Sequence, residues 1–241
     1  MKTKIFISIV LISCLFTACQ KGSGDSIINS KKSGFNSPDE FLENPSIKNA
    51  IVESDIPIYQ GTNPPVLSGI YTAAGSVIDV SANASELYGS PINSLITLYN
   101  QTASGKINFK EEVSGVTVYG AGGYIIGKNG EFSIFQESLQ SGEEAGLPSD
   151  LTVTVVLIMS GSKYSQGNSQ GDLRAKGISI VTKATSTNPK NYDLKEIEKI
   201  WWMWDAYFNL EGPAKKFSSI NQSSLCIPGN ITEIIRSFKL N

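Results

Sequence analysis

The chain contains no histidine, and that absence excludes more than any motif present. Ser-His-Asp and Cys-His nucleophile activation are both ruled out, as are most transition-metal sites. Cysteine is nearly as scarce: Cys14, Cys19 and Cys226 are the three in the chain, with no Cys-x-x-Cys spacing for a structural zinc. Basic residues are not in excess either, since 20 Lys and Arg stand against 22 Asp and Glu, so no basic stripe points to nucleic acid. An enzyme would have to work with carboxylates, Lys, Tyr or a hard metal ion. The adjacent acids Glu111-Glu112 and Glu143-Glu144 do not converge, because neighbours in an extended strand point to opposite faces. They read as solvated surface. The chemistry expected is therefore non-catalytic, with no cofactor and no metal.

Long apolar runs are also missing, apart from one at the N-terminus. Lys2 and Lys4 precede an apolar stretch over residues 5–16, which falls short of the roughly 20 residues that span a bilayer. A positive start, a short apolar stretch and the small residues Thr17-Ala18 form a secretory signal. On residues alone, Cys19 is either a free thiol beside the cleavage point or the modified first residue of the mature chain. Leu15-Phe16-Thr17-Ala18-Cys19 resembles the lipobox of bacterial lipoproteins, which implies diacylglycerol on the Cys19 thiol and an acylated Cys19 amine. Several acyl chains pass the two-signal threshold for stable anchoring. The resemblance thus implies a lipid-anchored protein of the cell envelope, at the outer membrane. Without Lys2 and Lys4 the mature chain has 18 basic and 22 acidic residues, a net charge of −4. With Cys14 removed and Cys19 blocked, Cys226 has no partner for an internal disulfide.

The organisation expected is a signal over 1–18, a flexible tether over 19–36, and one domain over 37–241. The tether is rich in Gly, Ser, Lys and Asn and has little to bury. Within it, Asp25-Ser26-Ile27 resembles a bacterial O-glycosylation pattern, which would place a glycan on Ser26. Order begins at Ser37-Pro38-Asp39-Glu40, with Ser as N-cap and Pro at the first helical position. Pro45 starts a second short helix. The two helices over 37–55 read as a lid or plug. Residues 56–65 contain Pro57, Pro64 and Pro65 and must be extended.

From residue 67 onward the chain is mainly β. Alternating or apolar runs recur at 67–71, 75–80, 95–99, 106–110, 116–119, 123–126, 131–136, 151–159 and 174–183, the spacing of an antiparallel meander. Asn129-Gly130 marks a type I′ hairpin turn. Ile107 and Phe109, Val116 and Val118, Phe132 and Ile134, and Val153, Val155, Leu157 and Met159 each recur at every second residue and form one apolar face. The opposite face carries Thr117, Tyr119, Ser133, Phe135, Thr152 and Thr154. This pattern fits an up-and-down barrel or a β-sandwich.

The segment Ile58-Tyr59-Gln60-Gly61-Thr62-Asn63-Pro64-Pro65, leading into Gly69-Ile70-Tyr71, resembles the entry to the barrel of bacterial lipocalin-like (calycin-type) lipoproteins. The resemblance covers 45–187 and implies an eight-stranded up-and-down barrel over 56–187, either hollow or filled by side chains. A C-terminal helical region is expected over 188–241. Its main helix starts at Asp193 and runs through Phe208, with Leu194, Ile197, Trp201, Trp204 and Phe208 on one face. Trp202 and Met203 fall off that face and are candidate ligand-binding residues. A last short helix is read at 231–238. The loops over 138–149 and 161–172 are candidates for a binding mouth, with Lys163, Tyr164 and Arg174 as polar contacts. Two functions are expected. One is a binding module for a small apolar or glycan ligand; the other is a filled barrel that docks onto an envelope protein.

Overall fold

The computed structural model describes residues 34–113, 116–141, 147–164, 171–213, 235 and 237–239, with backbone alone at 113 and 116–122. Residues 1–33, and with them Cys19 and Ser26, lie outside the described residues. So do Cys226, most of 231–238 and the side chains of 116–119.

Two short helices open the domain. In α1 (Pro38–Glu43) the Ser37 hydroxyl accepts from the Glu40 N–H at 3.2 Å. Asn44 ends α1 and caps α2 (Pro45–Ser54), its Oδ1 accepting from the N–H groups of Ser46 and Ile47. Both starts agree with the sequence expectation: a short polar side chain satisfies first-turn donors, and proline supplies a preset φ.

Eight antiparallel strands then run in chain order: β1 (Gly69–Val80), β2 (Pro91–Tyr99), β3 (Lys106–Val113), β4 (Val116–Lys128), β5 (Glu131–Ser141), β6 (Leu151–Lys163), β7 (Leu173–Ser186) and β8 (Trp201–Gly212). Each pairs with the next, and β8 returns to β1 from Ile70↔Gly212 to Val80↔Trp202. The sheet is a closed up-and-down barrel, which decides against the sandwich. Asn129 and Gly130 take φ of 55° and 87° between the partners Lys128 and Glu131, as the type I′ turn requires.

Three expectations are corrected. The segments 67–71, from Gly69 onward, and 75–80 belong to β1, and 116–119 and 123–126 to β4; glycines within these strands interrupt the apolar alternation without ending the ladder. The helix expected from Asp193 to Phe208 is confined to α3 (Leu194–Ile197), with Asp193 Oδ1 accepting from Glu196 N as its cap. Residues 201–212 are the closing strand, so the barrel extends past 187. Trp201 and Met203 face outward and Trp202 and Trp204 face inward, all of them buried. Apolar groups on both faces erase the two-residue period and leave spacings that imitate a helix.

The helices also do not plug the barrel. Phe41 of α1 and Ile47 and Ala50 of α2 pack on the outer wall against Tyr124, Phe135, Val156, Ile158, Ile178, Ile180, Trp201 and Met203. The Trp201 indole donates to Glu53 Oε2 at 3.0 Å, tying α2 to β8. The apolar face read from alternation, including Ile107, Phe109, Phe132, Ile134, Val153, Val155, Leu157 and Met159, forms the interior.

Candidate functional site

Residues 56–60 run along the outer wall, where Ile56 packs with the helices, and 61–68 then cross one end of the barrel, the end formed by the β2–β3, β4–β5 and β6–β7 loops. Asn63 N donates to Gly127 O at 3.0 Å, Tyr59 N to Ser133 Oγ at 2.8 Å, and Lys163 Nζ to Val66 O at 2.7 Å. Leu67 is then wholly buried, with its carbonyl accepting from Tyr71 Oη at 2.9 Å and its N–H donating to Gln101 Oε1 at 2.8 Å. Burial pushes the Tyr71 phenol up to about 12, with the charge of Asp172 adding to it. At the other end the β1–β2, β5–β6 and β7–β8 connections contribute Leu87, Leu147, Ile197 and Ile200 to the same core.

Between these ends the strand register stacks the inward side chains in rows. One row joins Ile125, Ile134, Met159, Gly177, Trp204 and Val77 as successive cross-strand partners. Gly177 is required there, because a Cβ would stand 2.0 Å from Cζ2 of the Trp204 ring. The neighbouring row joins Gln136, Leu157, Ser179, Trp202 and Val80, and here the interior turns polar. Ser138 and Gln140 continue along β5 on the same inward face, opposite Val155 and Val153.

Both glutamines are about 1% exposed. Gln136 Nε2 donates to Glu137 O at 3.1 Å and Gln140 Nε2 to Ser138 Oγ at 3.4 Å. Their Oε1 atoms are buried without a hydrogen-bond partner, a condition that costs about 1–3 kcal/mol per group. Gly123 gives the Gln136 carboxamide its room, since a Cβ there would lie 2.4 Å from Gln136 Oε1.

Glu111 joins this half of the interior from β3. It pairs with Ile96 of β2 and alternates with Ile107 and Phe109, all three of them core residues, so its side chain points inward. Glu112 points outward and pairs with Lys110. The surface reading of Glu111 is therefore corrected: alternation separates the two acids, but the polar one-in-two position belongs to the inside. Glu111 keeps partial solvent exposure. Burial pushes its carboxyl up to about 7, and the nearby Ser94 hydroxyl, whose Oγ is itself buried without a hydrogen-bond partner, offsets a smaller part.

The residues singled out in the sequence divide among three places. Trp202 faces this polar half from β8 and is 5% exposed. Met203, also 5% exposed, lies beneath the helices on the outer wall. Neither is the surface contact expected of it, because a strand alternates where a helix would have presented both. Lys163, Tyr164 and Arg174 gather at the end crossed by residues 61–68. The exposed Arg174 guanidinium lies 5.2 Å from the Tyr207 ring centroid and 3.8 Å from Asp205, and Tyr164 is also within its hydrogen-bonding reach. The loops over 138–149 and 161–172 lie at opposite ends, since they flank β6 on either side, and so do not line one mouth.

A cleft of about 380 Å³ lies outside the barrel between α2, the 3₁₀ turn Ala82–Leu87 and α3. Its carboxylates are already engaged: Glu53 accepts from Trp201, Glu196 pairs with Lys199, and Glu198 Oε1 accepts from Ala184 N. The interior polar half has the open valences. Sequence reasoning missed it, and the signal was the alternation of Gln136, Ser138 and Gln140 in phase with Phe132 and Ile134. No family model, curated protein or solved structure matches this chain.

Proposed function

We propose that the protein is a lipid-anchored envelope lipoprotein whose barrel is a non-catalytic binding module for one small ligand. The observation that carries this reading is the pair of unpartnered carboxamide oxygens of Gln136 and Gln140 inside the barrel. Buried acceptors without donors are rare in folded proteins, and a ligand bearing N–H or O–H groups removes their desolvation penalty. An eight-stranded barrel has room for one small ligand at most. The same acceptors argue against a purely apolar ligand and in favour of a donor-rich one. The tether and the lipid on Cys19 would hold the module at the outer membrane.

A second reading is supported by a different observation. Both ends of the barrel are covered and the other half of its interior is packed with apolar side chains, as in a filled barrel that serves as a rigid body for docking on an envelope partner. Native mass spectrometry of the full chain, purified in detergent, separates the two. A reproducible additional mass, released on denaturation and absent from a Gln136→Leu/Gln140→Leu variant, supports the binding module. A lipidated chain with no bound mass, unchanged by those substitutions, supports the filled barrel. A Cys19→Ala chain that keeps the membrane fraction and the acyl mass would overturn the anchor.

A further inference from the structure

We infer that the cleft outside the barrel, between α2, the 3₁₀ turn Ala82–Leu87 and α3, takes a guanidinium group, carried either by a small molecule or by an arginine side chain of a partner protein. This site is separate from the barrel interior and does not depend on what the interior holds. The cleft encloses about 380 Å³, ample room for a side chain of that length. Glu53, Glu196 and Glu198 line it against a single cation, Lys199. Three acids and one base leave the lining with a net charge of −2, which repels anions and which a neutral sugar would leave uncompensated.

Each carboxylate is fixed through one oxygen and keeps the other. Glu53 Oε2 accepts from the Trp201 indole at 3.0 Å, Glu198 Oε1 accepts from Ala184 N at 2.9 Å, and Glu196 Oε1 pairs with Lys199. Among the described residues, Glu53 Oε1, Glu196 Oε2 and Glu198 Oε2 take no hydrogen bond. Asn83 donates through Nδ2 to Glu196 O at 3.1 Å and keeps its Oδ1 as a further acceptor. The wall is thus rich in acceptors that are already held in place, which lowers the ordering cost of binding.

The spacing of these acceptors separates a guanidinium from smaller cations. No three acidic side chains among the described residues stand close enough to hold a metal ion, so the cleft has no single point at which a compact charge meets all three carboxylates. An ammonium is such a point charge. A guanidinium spreads five N–H donors over a rigid plane and has no acceptor to be left unmatched. Lys199 shows the limit of an ammonium here: its ion pair is with Glu196, and its side chain stays 63% exposed.

The test follows the indole N–H resonances of the full, isotope-labelled chain in detergent. The chain has three tryptophans, and they report both places at once: Trp201 is bonded to Glu53 in the cleft, whereas Trp202 and Trp204 lie inside the barrel. Ethylguanidinium chloride, ethylammonium chloride, methyl glucoside and a blocked tripeptide with arginine between two glycines are titrated separately. Ethylguanidinium at millimolar concentration should shift the Trp201 resonance saturably, ethylammonium should bind several-fold more weakly, and the glucoside should have no effect. Glu53→Gln and Glu198→Gln keep a side-chain oxygen for Trp201 and Ala184, and each should weaken binding about fivefold, the worth of one partly exposed ion pair. Lys199→Ala should strengthen binding by a similar factor, because the competing cation is gone. A role confined to packing gives no such gain.

Tighter binding of the peptide than of ethylguanidinium assigns the group to a partner's arginine, and weaker binding assigns it to a small molecule; either result supports the cleft. Equal affinity for ethylammonium or the glucoside would overturn the assignment. So would movement of Trp202 or Trp204 in place of Trp201, the lack of any saturable shift, or an affinity unchanged in Lys199→Ala and in both glutamine variants. Circular dichroism checks that the variants keep the barrel, and Lys199→Ala, made at an exposed side chain, still decides the matter if a glutamine variant unfolds.

Discussion

Two halves of one barrel interior are built from the same eight strands and treat their side chains differently. Toward the end closed by Leu67, the inward rows hold Tyr71, Phe109, Phe132, Ile134, Trp204 and Phe208, and the one phenol among them has its carbonyl partner. Toward the other end Glu111, Gln136, Ser138 and Gln140 share the inside with Trp202, and two carboxamide oxygens have no partner. Close packing in the first half is what holds a barrel shut. The second half gives up stability, and a surrendered kilocalorie in a core points to a use outside folding. Strand register makes this division: a shift of two residues along β5, from Ile134 to Gln136, moves from the packed row to the polar one.

Substitutions on either side of this boundary put the contrast at risk. The largest effect is expected from Phe132→Ala in the packed half, where the side chain is fully buried; chemical denaturation should show a loss of about 3–5 kcal/mol. Next comes Glu111. Its carboxyl rises from 4.5 in the unfolded chain to about 7 in the fold, so the native state binds the extra proton between those values. Stability must then decline as pH rises from about 4.5 to 7 and level off above. Glu111→Gln should flatten that slope and raise stability at pH 8 by up to about 3 kcal/mol. A wild-type curve without the decline would return Glu111 to the surface.

Smaller effects are expected from single polar groups. Tyr71→Phe should cost about 1–2 kcal/mol, because the Leu67 carbonyl loses its donor in a buried site. Gln136→Leu should be neutral or stabilising by about 1 kcal/mol, since it removes an oxygen that has no partner and keeps a similar volume. Opposite signs for these last two hydroxyl and carboxamide deletions would show directly that one half is satisfied and the other is not. Two losses of equal size would remove the distinction.

How far the fold is legible in the sequence depends on what each strand faces. Residues 131–136 and 151–159 can be read as strands because β propensity and alternation coincide there. Ser37, Asn129-Gly130 and Asp193 can be read because capping and turn chemistry is local. Residues 201–204 cannot: α2 covers one face and the barrel interior the other, so four consecutive large side chains carry no period. The candidate site is legible only in part. Trp202 stands out by its size, but a helical reading puts it on the wrong surface. Glu111 and Gln136 are hidden by the usual rule that polar residues in a half-buried strand face water, which fails when the inside of a barrel is itself polar.

The pairing of β1 with β8 sets a condition on how the molecule comes into being. The first strand of the ring finds its final neighbour in the last strand, so the ring stays open until nearly the whole chain is present. Loop-closure entropy must be met before that contact forms, which makes ring closure the slow event of folding. Until then β1 exposes an unpaired edge, the kind of template that recruits other chains. The residues of β8 should therefore govern refolding speed and yield at high protein concentration more than residues of any neighbouring hairpin do. Stopped-flow refolding of Trp204 and Ile134 variants of matched stability would show which strand closes the ring last.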